Sequence, residues 1–190
     1  MQHNSIESKL IGKILPPTFA GESGRGLEDL LESIGIPINR GSGVDCLIFD
    51  FEVKSRDIDA ISPQTVCTMT FNDIIATPYA NSRVREKFQR QFRVKTKHNV
   101  IISAEMYDFS HRLIQNLIEE AYETARASLA ASQTNGACHG KWMPAYVPGT
   151  KWGYLENVNT ATNSYHFRIS HGAMDDFEAM SHSTLSKLFE

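Results

Sequence analysis

The segment Val44-Asp45-Cys46-Leu47-Ile48-Phe49-Asp50-Phe51-Glu52-Val53-Lys54 constrains this chain more than any other. It is rich in aliphatic and aromatic residues and follows the turn-forming Asn39-Arg40-Gly41-Ser42-Gly43, so it reads as one or two buried strands. Yet it carries three carboxylates and an ammonium. Burying such groups is costly unless they pair with one another or meet a metal. Glu52 and Lys54 are two apart, which puts both on one face of a strand. Asp45 lies seven residues before Glu52. That odd offset sends the two to opposite faces unless the chain bends or bulges between them, and Phe49-Asp50 is the expected bend. Asp50 shares strand parity with Glu52 and competes with Asp45 as a ligand if the bend lies elsewhere.

With the bend in place, Asp45 and Glu52 form a dicarboxylate suited to Mg²⁺, a hard cation that prefers oxygen ligands. Such a metal activates water and offsets charge on a phosphate oxygen. Lys54 would orient or deprotonate the attacking water, or stabilise the transition state. The same Glu-Val-Lys tripeptide also suits an ordinary salt-bridged strand end.

The rest of the chain alternates helical and strand patterns, a mixed α/β order. Ser5–Leu15 reads as a short helix ended by Pro16-Pro17. Ser23 is placed to cap a second helix, in which Leu27, Leu30, Leu31 and Ile34 form an apolar stripe and Gly35 is the stop. Thr65–Phe71 is a strand candidate, Ser82–Gln91 a helix with Val84 and Phe88 inward, and Phe92–Lys95 and Asn99–Ile102 strands. Residues 105–131 hold the longest helical pattern, from Met106 through Leu113, Ile114, Leu117, Ile118, Ala121, Tyr122 and Ala125 to Leu129. Residues 132–164 are loop-rich. Tyr165–Ser170 alternates as a half-buried strand does, with His166, Arg168 and Ser170 on the polar side, and a last helix is expected from about Asp175 to Leu188.

Three groups of residues carry a further resemblance: Gly24-Arg25-Gly26-Leu27-Glu28-Asp29-Leu30-Leu31, then Gly43-Val44-Asp45, then Glu52-Val53-Lys54-Ser55-Arg56. Their order and spacing resemble the PD-(D/E)XK nucleases, in the branch of MutH-like nicking enzymes and MvaI/BcnI-type restriction endonucleases. The resemblance runs over about residues 20–97 and extends to the apolar strand Thr65–Thr70 and to Asn81–Phe88. Val44 stands where the family name has its proline. The resemblance implies a restriction-endonuclease-like α/β core, with a central mixed sheet flanked by helices and a DNA cleft between two lobes. The whole of 1–190 would then be one nuclease domain, with a catalytic core over about 20–102 and a long helix plus a DNA-contacting lobe over about 103–190. It implies Mg²⁺ held by Asp45, Glu52 and the Val53 carbonyl, with Mn²⁺ as a substitute. Glu28 would be an acid near the metal and Lys87 a second catalytic lysine beside Lys54. The expected activity is a DNA endonuclease, sequence-specific and of restriction or nicking type. A structure-directed nuclease of repair, recombination or phage DNA processing is one alternative, and a non-cleaving DNA-binding module of the same fold is another. A monomer is expected, with a dimer on DNA as the alternative.

Composition bears on the partner. The 190 residues hold 19 Lys and Arg against 22 Asp and Glu, a net charge of −3. That argues against a protein that coats nucleic acid indiscriminately. Residues 81–97 nevertheless hold seven basic residues and one acid, Glu86. On a helix, Arg83, Lys87 and Arg90 would form a basic stripe able to contact phosphates of double-stranded DNA. Lys151, Tyr165 and Arg168 are further DNA-contact candidates, since a β-ribbon can enter the major groove and its arginine can read guanine. Trp142, Tyr146, Trp152 and Tyr154 with Lys141 suit either DNA flanking or a small core. His166, His171 and Cys138-His139 are too irregularly spaced for a zinc site. Cys46, Cys67 and Cys138 give no disulfide framework, no apolar run is long enough to span a membrane and no signal-peptide core opens the chain, so a cytoplasmic setting is expected.

Overall fold

A computed structural model describes residues 6–16, 25–41, 43–48, 50–132, 134–138 and 151–188, with the backbone alone at 137–138 and 182–188. Ser5, Pro17, Ser23, Gly24, Phe49, His139, Lys141, Trp142 and Tyr146 lie outside the described residues, as does the Cys138 side chain. The fold is mixed α/β, with two small sheets and helices. The chain divides into two compact units, residues 1–60 with 90–108, and residues 61–89 with 109–190. Among the described residues no helix is long and apolar enough to cross a membrane.

In the first unit, α1 (Ile6–Leu10) ends sooner than Pro16 requires, because Gly12 turns the chain with φ +82°. The segment beyond it lies along the sheet through an isolated bridge from Ile14 to Val100. Helix α2 (Arg25–Ser33) buries Leu27 and Leu31, as its stripe predicts. It closes in a Schellman arrangement: Gly35, at φ +92°, donates to the Glu32 carbonyl, and Ile36 donates to that of Leu31. Glycine takes this left-handed conformation without a Cβ penalty.

The apolar segment after α2 does not run as one buried strand. Cys46 and Phe51 exchange both backbone hydrogen bonds (3.0 and 3.2 Å), so the chain folds back on itself between them. Asp50 sits at φ +52°, a conformation that Asp tolerates better than most residues. Leu47 and Ile48, expected inside, are exposed in this turn.

Strand β1 (Glu52–Asp57) then pairs in parallel with β2 (Arg90–Lys97), which pairs antiparallel with β3 (Val100–Asp108). The β2–β3 turn is two residues long, His98 and Asn99, both at positive φ (51° and 63°), as the right-handed twist of a tight hairpin demands. One face of this sheet carries Val53, Phe92, Val94 and Ala104, which with Leu10, Leu27, Leu31 and Phe51 form the core of the unit. The Phe51 and Phe92 rings lie 5.8 Å apart.

Two expectations fail here for one reason. The predicted helix Ser82–Gln91 stops early because Arg90 and Gln91 join the sheet, opposite Asp108 and Tyr107. The predicted long helix starts late because residues through Asp108 are the other half of that ladder, with Met106 opposite Phe92. Backbone pairing between distant segments outweighs the local helical period.

The second unit is built on an antiparallel sheet. It contains β4 (Gln64–Thr70), β5 (Ala137–Cys138), β6 (Gly153–Asn159) and β7 (Ser164–Ile169), ordered β4-β7-β6-β5. Helix α3 (Phe71–Ala76) begins in a full capping box, Thr70 with Asp73. The short α4 (Arg83–Lys87) is capped by the Ser82 hydroxyl. Helix α5 (Arg112–Ser132) buries Ile114, Leu117, Ile118, Ala121, Tyr122, Ala125 and Leu129. It lies close to the sheet: a Cβ on Gly153 would come within 2.9 Å of the Ala121 Cβ. Tyr165, Phe167 and Ile169 fill the apolar face, with Phe167 edge-on to Tyr122. Helix α6 (His171–Leu188) starts four residues before the expected Asp175.

Candidate functional site

Between Cys46 and Phe51 the chain turns back on itself, and Asp45 comes to the start of β1. Asp45 Oδ2 accepts a hydrogen bond of 2.8 Å from the Val53 backbone N–H. The carboxylate is thereby fixed against the first residues of β1, while Asp50 is left exposed in the turn. On β1, Glu52 is only 2% exposed and its Oε1 lies 2.6 Å from Lys54 Nζ. Strand parity had put both on one face, and this ion pair shows it.

Glu28 enters from the first turn of α2, which packs against β1. Its carboxyl is held above the ordinary range, first by burial and then by the negative charge of Asp45. Asp29 and Glu52 push in the same direction, and Arg40 opposes them. Arg40 itself is anchored on the outer side of α2, to Asp29 (2.6 Å) and Glu32 (2.7 Å). Glu28 therefore feels the charge of Asp45 and Glu52. Like charges gathered in a partly desolvated place are what a cation relieves. Among the described residues, however, no group of three or more His, Cys, Asp or Glu side chains is arranged to hold a metal ion. The donor chemistry fits a hard divalent cation in two carboxylates, Asp45 and Glu52, and the backbone beside them.

No family model matches this chain, and no curated protein does.

The other expected site residues are described by the element that carries each. Lys87 is on α4 in the second unit and is 9% exposed. Arg83, on the same helix, is exposed and donates from Nη1 to the Thr68 carbonyl at 3.2 Å. Arg90 is not on that helix at all but opens β2, so the three-residue basic stripe does not form. Lys151 is exposed just ahead of β6. Tyr165 is 1% exposed and packs on Phe71, with ring centres 6.4 Å apart, so it is a core residue and not a DNA contact. Arg168 does lie on the polar face of β7, where its Nε is 2.7 Å from Glu156 Oε2 and its Nη2 is 3.3 Å from His166 Nδ1.

The structure adds neighbours that sequence reasoning missed. The register sets Gln91 beside Glu52 and Arg93 beside Lys54. Arg93 Nη1 donates to Gln91 Oε1 at 2.8 Å, and both residues are buried, Arg93 at 4%. On β3, Glu105 lies opposite Arg93 and accepts from Ser103 (3.0 Å) and Tyr107 (2.9 Å). The signal was present: Gln91-Phe92-Arg93-Val94-Lys95 alternates polar and apolar with period two. Reading Gln91 as helical hid its first member.

Proposed function

We propose that this chain is a divalent-metal-dependent DNA endonuclease with a restriction-endonuclease-like core and the DNA cleft that its resemblance to MutH-like and MvaI/BcnI-type enzymes implies. The substrate is double-stranded DNA, and the cut is sequence-specific, of restriction or nicking type. One observation supports the reading: the fold-back that pairs Cys46 with Phe51 returns Asp45 to the start of β1, where Val53 N–H donates to its carboxylate, next in sequence to Glu52 of the Glu52–Lys54 pair.

Asp45, Glu52 and the Val53 carbonyl would hold Mg²⁺ or Mn²⁺. When bound, the metal lowers the pKa of its water and offsets charge on the scissile phosphate. Lys54, on its short tether to Glu52, orients the attacking water. Glu28 adds negative charge behind Asp45 and so tunes how strongly the pair attracts a cation. Lys87 is the second lysine of this reading.

The test is plasmid cleavage with Mg²⁺. Wild type is expected to give discrete linear fragments or open circles. Lys54→Ala should lose about 10²–10⁴-fold in rate, the usual size of a lost acid–base contribution, and Asp45→Ala should abolish cleavage, because one of the two carboxylates that would hold the metal is gone. A wild type that cuts nothing with any divalent metal sinks the enzyme reading. The Glu52–Lys54 ion pair at 2.6 Å favours a second reading, a DNA-binding module of the same fold that does not cleave. DNA binding without cleavage would select it.

A further inference from the structure

The second unit holds a cleft of about 500 Å³ in which the dicarboxylate has no part. One wall is the short turn Tyr79–Asn81 with α4, and the other is the N-terminal part of α5. Its size is that of a site for a small organic molecule. Two lining residues, Tyr79 and Gln115, are locked together. The Tyr79 hydroxyl donates to Gln115 Oε1 at 2.8 Å, and Gln115 Nε2 donates to the carbonyls of Phe88 (3.2 Å) and Phe109 (2.9 Å). Both donors and the acceptor of the Gln115 amide are thus engaged, and Tyr79 is only 3% exposed. This part of the cleft is preorganised, which lowers the cost of binding.

Three charged side chains line the same cleft: Arg85 from α4, and Arg112 and Glu119 from α5. All three residues are exposed. Arg85 Nη1 donates to the Ala80 carbonyl at 2.9 Å, a bond that steadies the guanidinium and leaves its other N–H groups for a ligand. Among the described residues, the side chains of Arg112 and Glu119 have no hydrogen-bond or ion-pair partner. Burial raises the pKa of the Tyr79 hydroxyl, Arg85 opposes that rise and Glu119 adds to it, so both charges act on the same hydroxyl. Arg112 is the first residue of α5, whose first turn contains no acid. A cation is disfavoured at that end of a helix, and a bound anion relieves it. The cleft therefore offers two guanidinium forks and one carboxylate around a fixed base.

We propose that this cleft binds a small phosphorylated ligand with free hydroxyl groups, of the class of sugar phosphates and nucleoside monophosphates. Arg85 and Arg112 take the phosphate, since a planar guanidinium matches two phosphate oxygens at once. Glu119 takes the hydroxyls, since an ionised carboxylate only accepts hydrogen bonds. Glu119 also sets this ligand apart from a DNA strand. The interior of a DNA strand has no free hydroxyl to offer the carboxylate and brings further phosphates towards it. A sugar phosphate carries one anionic end for the arginines and a donor end for the glutamate. The site is independent of the nuclease reading and stands or falls without it.

The test is isothermal titration calorimetry on the full chain without divalent metal, with ribose-5-phosphate, inorganic phosphate and a short DNA duplex as the probes. Ribose-5-phosphate should bind with a Kd in the millimolar range or tighter, and inorganic phosphate more weakly. Arg85→Gln and Arg112→Gln should each weaken ribose-5-phosphate about tenfold or more, the usual size of a lost hydrogen bond to a charged group. Glu119→Ala should narrow the gap between the two phosphate probes. All three positions are exposed, so each variant should keep the wild-type Tm to within a few degrees. No binding of ribose-5-phosphate up to about 10 mM overturns the site, as does binding that both glutamine variants leave unchanged. Equal affinity for the two phosphate probes in wild type overturns the role of Glu119 and with it the hydroxylated ligand. Duplex binding that Arg112→Gln weakens, with no binding of ribose-5-phosphate, overturns the proposal and makes the cleft a DNA contact.

Discussion

Each of the two sheets has one apolar and one polar face, and the two polar faces are built on opposite principles. In the second unit, His166, Arg168, Glu156 and Tyr154 are half-exposed, and the one arginine among them is matched by one glutamate at 2.7 Å. That face is balanced and partly wet. In the first unit, Glu52, Gln91 and Arg93 are each under 5% exposed, cations stand abreast on neighbouring strands, and Glu28 is crowded by Asp45. Charged groups packed together in a desolvated place, such as Glu28 beside Asp45, mark candidate sites. On the proposed reading, the first unit is where the chemistry belongs.

Removing Lys54 should break the comparison most violently. Lys54→Ala leaves Glu52 buried at 2% exposure without its 2.6 Å ammonium, next to Asp45 and Glu28. Removing one partner of a buried pair costs about 3–5 kcal/mol. The expected loss here is about 3 kcal/mol by urea denaturation at neutral pH, since Lys54 itself is 20% exposed. A loss below about 1 kcal/mol would make the first face as ordinary as the second.

How much of this was legible beforehand depends on what each residue answers to. Local chemistry was readable: the α2 stripe, the Gly35 stop, the shared face of Glu52 and Lys54, and the inward Tyr165–Phe167–Ile169 all follow from period and parity. The fold-back between Cys46 and Phe51 follows the odd offset of Asp45 from Glu52, although no Gly or Pro marks it. What failed was whatever depended on distant pairing. Arg90, Gln91 and Met106 sit in helical patterns and yet are strand, because their partners lie across a ladder that no local window contains. Parity puts Tyr165 on the apolar face, and that face is the core, where Tyr165 is 1% exposed. The cation pairs were invisible for the same reason: Arg56 and Lys95 are 39 positions apart and become neighbours only through parallel register.

A smaller effect sharpens the comparison through pH. The Glu28 carboxyl titrates above its ordinary value of 4.5 because burial and Asp45 disfavour its charged form. Between the unfolded and folded values the folded state binds the extra proton, so stability is greatest on the acid side and falls as pH rises through the raised value. Glu28→Gln removes this penalty. In the absence of divalent metal its Tm should exceed that of wild type by a few degrees at pH 7, and the gap should close as pH drops toward 4. Added Mg²⁺ should stabilise wild type more than the variant, because the variant has lost one of the charges that attract the cation. Equal Tm values at pH 7 would remove Glu28 from the acidic group.

The smallest effects are expected on the face that balances itself. Glu156→Ala removes a pair in which both side chains are a quarter or more exposed (25% and 41%), and such pairs contribute about 0–1 kcal/mol. His166 supplies the more discriminating reading. Its imidazole titrates below 6.5, first because it is partly buried and then because Arg168 lies beside it, with Glu156 opposing. For a base with a lowered folded value, the unfolded state takes the proton first. The stability tied to neutral His166 is therefore present above the unfolded value and is lost as pH falls through the folded one. Removing Glu156 deletes the one opposing charge, so in Glu156→Ala the His166 midpoint, followed by NMR, should move further down, while stability at pH 7 changes by less than about 1 kcal/mol. An upward move would mean that Arg168, released from Glu156, swings away from the imidazole, and the second face would then owe its balance to that single ion pair.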